Sequence, residues 1–212
     1  THAAQESRRW CHASPPRGGG RMDAFNYLSV MVSMVLGLGL TQLFAGVGNM
    51  VQIRRRVKPY WLHFVWIWLL AVLHVQMWWS FWTLRAVTEW TYTSFFFVLL
   101  GPGMLVVASH VILPELVDGT IDVETHYYDT RPVFFGLIAG AGTWAMVLEG
   151  VMGLRALLVP FHLVQVAGIA LMLLCAWSSN RRVHAVSTFV VIAMLVSTTL
   201  LTRYRLGQTG LE

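Results

Sequence analysis

From Ala24 to Val51 the chain carries no charged side chain, and a run of that length restricts what it can fold into. At 1.5 Å per helical residue, a hydrocarbon core about 30 Å thick is crossed by about 20 residues. Five further apolar runs follow, at 60–84, 93–113, 132–153, 157–178 and 183–202, and they leave little room for a separate soluble domain. Lipid offers backbone groups no hydrogen-bond partner, so each run must bond within itself as a helix or close into a barrel. No ten-residue alternation of apolar and polar side chains occurs, which argues against a barrel. The expected fold is all-α: a polytopic integral membrane protein, one six-transmembrane-helix bundle with short loops, over residues 22–212.

Composition agrees. Only 12% of residues are charged, against about 25% in an ordinary soluble domain. Trp61, Trp78, Trp79, Trp82, Trp90 and Trp177 fall near predicted span ends, where amphipathic rings favour the headgroup zone. Trp66, Trp68 and Trp144 lie deeper and are expected to pack. The net charge is +5, but the first 21 residues hold four Arg against one Glu, so the remainder carries only +2. That segment, rich in Pro, Gly and Arg, is expected to be a disordered basic tail whose membership of the native chain is left open, and nucleic-acid binding is not inferred from it. Of the two cysteines, Cys11 lies in this tail and Cys175 in the fifth run, so no structural disulfide is expected.

Arg54, Arg55, Arg56 and Lys58 follow the first run, and Arg181 and Arg182 follow the fifth. The bias of Lys and Arg toward the cytoplasm places the loops at 52–59, 114–131 and 179–183 on that side, in what would be a bacterial inner (plasma) membrane. Arg203, Arg205 and the tail arginines run against this orientation, which puts Arg155 and the C-terminus outside. The long third connection is acidic, with Glu115, Asp118, Asp122, Glu124 and Asp129 against Arg131. An extended backbone would turn Asp122, Glu124 and His126 to one face as metal ligands. Without a metal-loop pattern, a solvated loop anchored by Tyr127 and Tyr128 is the preferred expectation.

Small residues mark where helices approach closely. The candidates are Gly39 and Gly46, sharing a face with Gln42 in the first run, and in the fourth run the pair Gly136 and Gly140 and the stripe Gly142, Ala145, Glu149 and Gly153. Gly101-Pro102-Gly103 in the third run is expected to kink or unwind its helix. The motifs LHVQM and FHLVQV, each following a glycine-rich run, raise a three-helix inverted repeat, although their histidines lie at different heights.

Polar groups inside the bilayer are expensive and call for a function or a partner. Counting along the runs places Glu149, His74 and His162 at one depth, with Gln165, Gln76 and Gln42 as polar neighbours. A carboxylate and two imidazoles at one level could pass protons, bind a cation or simply satisfy one another. At the opposite edge His63, His110 and His184 form a second set, expected to reach water, with metal binding as a weaker reading. Imidazoles on two helices can also clamp haem, through His63 with His110 or His74 with His162. No sequence motif of hydrolases, metalloproteases, redox dithiols or phosphate loops is present, so enzymatic activity is not expected.

The leading functional reading is a small transporter or channel, in the lipid bilayer as a homo-oligomer or with a partner membrane subunit, whose Glu149, His74 and His162 site responds to protons or cations. The alternatives are an interaction or assembly subunit of a larger complex, with Glu149 paired across the interface, and a haem-binding redox protein.

Overall fold

The computed structural model describes residues 24–87, 89–115, 119–153 and 160–202; the basic tail with Cys11, and Asp118, Arg155, Arg203 and Arg205, lie outside them. Among these residues the chain forms six helices: α1 (Ala24–Gln52), α2 (Trp61–Ser80), α3 (Tyr92–Ile112), α4 (Val123–Val151), α5 (Pro160–Trp177) and α6 (Arg181–Thr202). A 3-10 segment, Phe81–Ala86, continues α2. Five helices are long and apolar enough to cross a membrane, and α5 is a shorter apolar helix. The all-α bundle expected from the sequence is what forms.

Two short strands tie one end of the bundle. β1 (Val57–Lys58) and β2 (Ile121–Asp122) pair in parallel, Val57 opposite Ile121 and Lys58 opposite Asp122. Beside them Arg181, at the start of α6, forms an ion pair with Glu124 in the first turn of α4. The connections at 52–59, 114–131 and 179–183 therefore share one end, here called the strand end.

The start of α4 corrects the sequence expectation. The helix begins at Val123 rather than near residue 132, because the Asp122 carboxylate accepts hydrogen bonds from the Glu124 and Thr125 amides. Such a cap satisfies amides that have no partner inside the helix. Pro132, which would suit a first turn, sits inside the helix instead. Asp122, Glu124 and His126 thus share no extended face: one caps, one pairs with Arg181, and His126 Nε2 donates to the Ile112 carbonyl. Tyr127 is buried in the core rather than anchored at an interface.

At its start α3 is fixed by a reciprocal capping box between Thr91 and Ser94. It then runs without interruption through Gly101-Pro102-Gly103, so the expected unwinding does not occur. Pro102 removes the donor that the Val98 carbonyl would otherwise meet. One residue earlier, Trp144 of α4 donates its indole N–H to the Phe97 carbonyl at 2.8 Å. Gly101 makes room for that ring, since a Cβ there would lie 2.2 Å from it.

Between lipid-embedded helices the tails of the lipid are as apolar as the core, so association rests on close packing and interhelical hydrogen bonds. Trp66 of α2 illustrates both. Its ring is fully buried, edge-on to Phe134 and Phe135 of α4 at 6.0 and 4.7 Å, and its N–H meets Thr188 Oγ1 of α6 at 3.0 Å. Trp144 packs likewise, whereas Trp68, expected in the core, is 66% exposed. The two three-helix halves also pack differently: α1 lies along α3, but α4 and α6 are not packed together in the same way, which removes the basis for an inverted repeat.

The small residues divide accordingly. Gly39 lies under the His74 ring, Gly46 under Leu113, Gly140 against Met104 and Gly142 against Ile169. Gly136 has no neighbour within 4 Å, and Gly153, at φ +63°, ends α4 in the left-handed conformation that glycine adopts without strain. Neither mediates packing within the chain. Gly101→Ala is expected to cost about 1–3 kcal/mol by overpacking against Trp144, lowering Tm in detergent. Gly103→Ala, which meets nothing within 4 Å, should leave Tm unchanged or raise it slightly; equal melting of the two variants would remove the seat assigned to Trp144.

Candidate functional site

Two of the three groups placed at one depth by the sequence meet. His162, in the first turn of α5, brings Nε2 to 3.1 Å from Glu149 Oε2, near the end of α4. The imidazole side chain is 3% exposed and the carboxylate 20%. One turn on, Gln165 donates its amide N–H to the Gly142 carbonyl at 3.0 Å, so α5 is stapled to α4 twice.

His74 does not join them. Its Nδ1–H donates to the Leu70 carbonyl at 2.8 Å, and Nε2 faces Ser109 of α3 at 3.4 Å, with Gly39 of α1 against the ring. Gln42 is likewise apart, donating to His110 Nδ1 at 3.2 Å on the α1–α3 seam. Glu149 and His162 meet at one height, but His74 does not share it: it packs beside Ser109, on the strand-end side of the Gly101–Trp144 contact, whereas Glu149 lies beyond Trp144 on the other side.

Glu149 opens onto a cavity of about 280 Å³ lined by α2, α4, α5 and α6, with Leu105 from α3. Its walls are mostly apolar: Trp66, Leu73, Ile138, Met172, Val191 and Leu195 lie toward the middle of the bundle. The polar lining gathers at the end away from the strands. Ser80 closes α2 with Gln76 one turn before it, Glu149 and Gln165 come from α4 and α5, and Thr198 from the last turns of α6. Glu149 is the one ionisable residue among those lining the cavity. Gly142, Ala145 and Glu149, three members of the small-residue stripe read from the sequence, form one wall. Ser80 and Thr198 were not anticipated, although Gln76 with Ser80, and Thr198 with Met194 and Val191, follow the three- and four-residue spacing of a helix face.

A second polar cluster sits at the strand end. His184 is fully buried, donating Nε2–H to the Ser178 carbonyl at 2.8 Å and accepting the Tyr127 hydroxyl proton at Nδ1, 2.9 Å away. His63 is also fully buried, flanked by the rings of Phe64, His126 and Tyr127, and neither ring nitrogen makes a hydrogen bond. Both correct the expectation that this set reaches water; His110 alone of the three is exposed. No group of three or more His, Cys, Asp or Glu is arranged to hold a metal among the described residues. The proposed haem pair of His74 with His162 is divided between different neighbours. Tyr60, at the entrance to α2, shares a hydrogen bond with Tyr128 at 2.9 Å; burial, then that bond, hold its phenol above the usual range.

Comparison with known proteins adds no relative: no family model matches the sequence, no curated protein matches it, and no solved structure matches the fold. The functional reading therefore rests on the geometry.

Two measurements test that geometry. In a double-mutant cycle Glu149→Gln and His162→Gln should be less than additive, with a coupling of about 0.6–1.7 kcal/mol as for other polar pairs in membrane helices; strict additivity in thermal or denaturant unfolding would dissolve the pair. Because the folded state holds the Tyr60 proton more tightly than the unfolded chain, its contribution is complete below pH about 10 and is lost as pH rises beyond it. The alkaline fall in Tm should be shallower in Tyr60→Phe, and parallel profiles would overturn this.

Proposed function

We propose that the chain is a small membrane carrier or channel whose substrate occupies the cavity between α2, α4, α5 and α6, with Glu149 and His162 as its proton- or cation-responsive group. The observation that supports it is the position of that pair: the one ionisable residue among the cavity-lining side chains, joined to a buried imidazole at the polar end of an apolar chamber.

The chemistry follows from charge. A carboxylate hydrogen-bonded to a neutral imidazole carries a net charge of −1. One added proton neutralises the pair, and so does one bound cation, so the two compete for the same charge. In surroundings of low dielectric that competition is strong, because an uncompensated charge there is costly. Placing the strand end in the cytoplasm, as its Arg54, Arg55, Arg56, Lys58, Arg181 and Arg182 favour, turns the polar end of the cavity toward the opposite face.

An assembly role rests on glycine faces that would dock a partner and on Glu149 pairing across that interface. His162 supplies Glu149 with a partner within the chain, which leaves that reading only its glycine faces.

Reconstituted in liposomes carrying an internal pH dye, the protein should dissipate an imposed pH or cation gradient, and Glu149→Gln should slow this at least tenfold. Ala145→Phe, which fills the chamber, should do the same with both members of the pair retained. Absence of flux under proton, sodium and potassium gradients, or equal flux in the wild type and both variants, would rule the reading out.

A further inference from the structure

The cavity has a polarity that narrows what it can hold. Its hydroxyl and indole donors are already spent inside the protein: Trp66 on Thr188, Trp144 on the Phe97 carbonyl, Ser80 on the Met77 carbonyl and Thr198 on the Met194 and Leu195 carbonyls. The amide nitrogen of Gln165 donates to Gly142. Besides the second amide hydrogen of Gln165 and the Gln76 amide, the groups that remain accept. Gln165 Oε1 is buried and receives no hydrogen bond, and the Glu149 carboxylate has one oxygen engaged by His162 and a second oxygen besides.

Resting on the reading of the cavity as a substrate site, we propose that its ligand is a lipophilic ammonium: a cationic head bearing N–H donors on an apolar body. An N–H donor would satisfy Gln165 Oε1, whose lack of a partner is otherwise a standing cost. The positive charge would answer the Glu149 carboxylate, which is only 20% exposed and sits among membrane-spanning helices where a lone charge is costly. The body would lie against Leu73, Ile138, Met172 and Val191. An anion would face the carboxylate with no free hydroxyl or indole donor to compensate. A calcium ion would find one carboxylate and amide oxygens in a chamber of about 280 Å³, short of the six to eight oxygens that calcium gathers. That volume sits near the lower end of small-ligand pockets, which suits a short aliphatic or single-ring amine.

The test uses the full chain in lipid nanodiscs and four probes of equal tail length, with binding read by calorimetry: octylammonium, octyltrimethylammonium, octanol and octanoate. Octylammonium should bind tightest, octyltrimethylammonium at least fivefold more weakly for want of N–H donors, and octanoate least. Glu149→Gln should weaken octylammonium at least tenfold. Gln165→Leu should weaken octylammonium but leave octyltrimethylammonium unchanged, a selective loss that misfolding would not produce. Octanol or octanoate binding as well as octylammonium, and displaced by Ala145→Phe, would overturn the ligand class while leaving the cavity as a binding site. Binding of no probe, or binding indifferent to Ala145→Phe, would overturn both.

Discussion

A polar group placed in lipid has to find its partner inside the protein, and the helices of this bundle are arranged around meeting that requirement. The interhelical bonds show it. Trp78 of α2 meets Ser33 of α1, Gln42 of α1 meets His110 of α3, Trp144 of α4 meets the Phe97 carbonyl of α3, Trp66 of α2 meets Thr188 of α6, and His162 of α5 meets Glu149 of α4. In each case at least one side chain has a polar tip on an apolar body or a short hydroxyl, so it can pack and bond together. Without a hydrophobic drive between helices, these bonds and the close contacts beside them select which helices are neighbours.

Close contact needs small residues, but a small residue does not guarantee it. Gly39 and Gly101 are covered by rings that no Cβ would tolerate, and both rings are themselves polar-tipped. Gly37, Gly103 and Gly136 look similar in the sequence and meet nothing within 4 Å. The difference lies in whether a large side chain on another helix arrives at that height and azimuth. That is a property of two helices at once, and a glycine spacing on one helix does not contain it.

The same distinction separates what could be read in advance from what could not. Six apolar runs were legible because bilayer thickness sets a minimum length, and the common end of three loops was legible from the arginines of two of them and the count of spans, which puts the acidic 114–131 connection on the same side. The wall formed by Gly142, Ala145 and Glu149 was visible as a helical stripe. Position along one helix was readable, but the offset and rotation of a helix relative to its neighbours were not, which is why His74 was grouped with Glu149 and His162 although it faces α1 and α3 nearer the strand end. The start of α4 was missed for a local reason: Asp122 can cap only if the chain reaches it already turned, and β2, which sets that turn, exists only through its pairing with β1. His63 and His184, near span ends by count, were expected to reach water. The rings of Tyr127, Phe135 and Phe64, brought by α4 and α2, close over them instead.

The arrangement of polarity across the molecule is uneven in a way that bears on function. At the strand end most polar groups, His63 excepted, are mutually engaged: Tyr127 with His184, His184 with Ser178, Tyr60 with Tyr128, Glu124 with Arg181. At the other end Glu149, Gln76 and Gln165 line a chamber between α2, α4, α5 and α6. A packed bundle would gain by closing that space, since each void forgoes contacts with the atoms that would fill it. Two staples between α4 and α5, the His162–Glu149 pair and the Gln165–Gly142 bond, fix one wall, while the Trp66–Thr188 bond fixes α6 to α2 on the other. A chamber built that way keeps its volume while presenting a charge to whatever enters, which is the property a substrate site requires and a purely structural bundle does not.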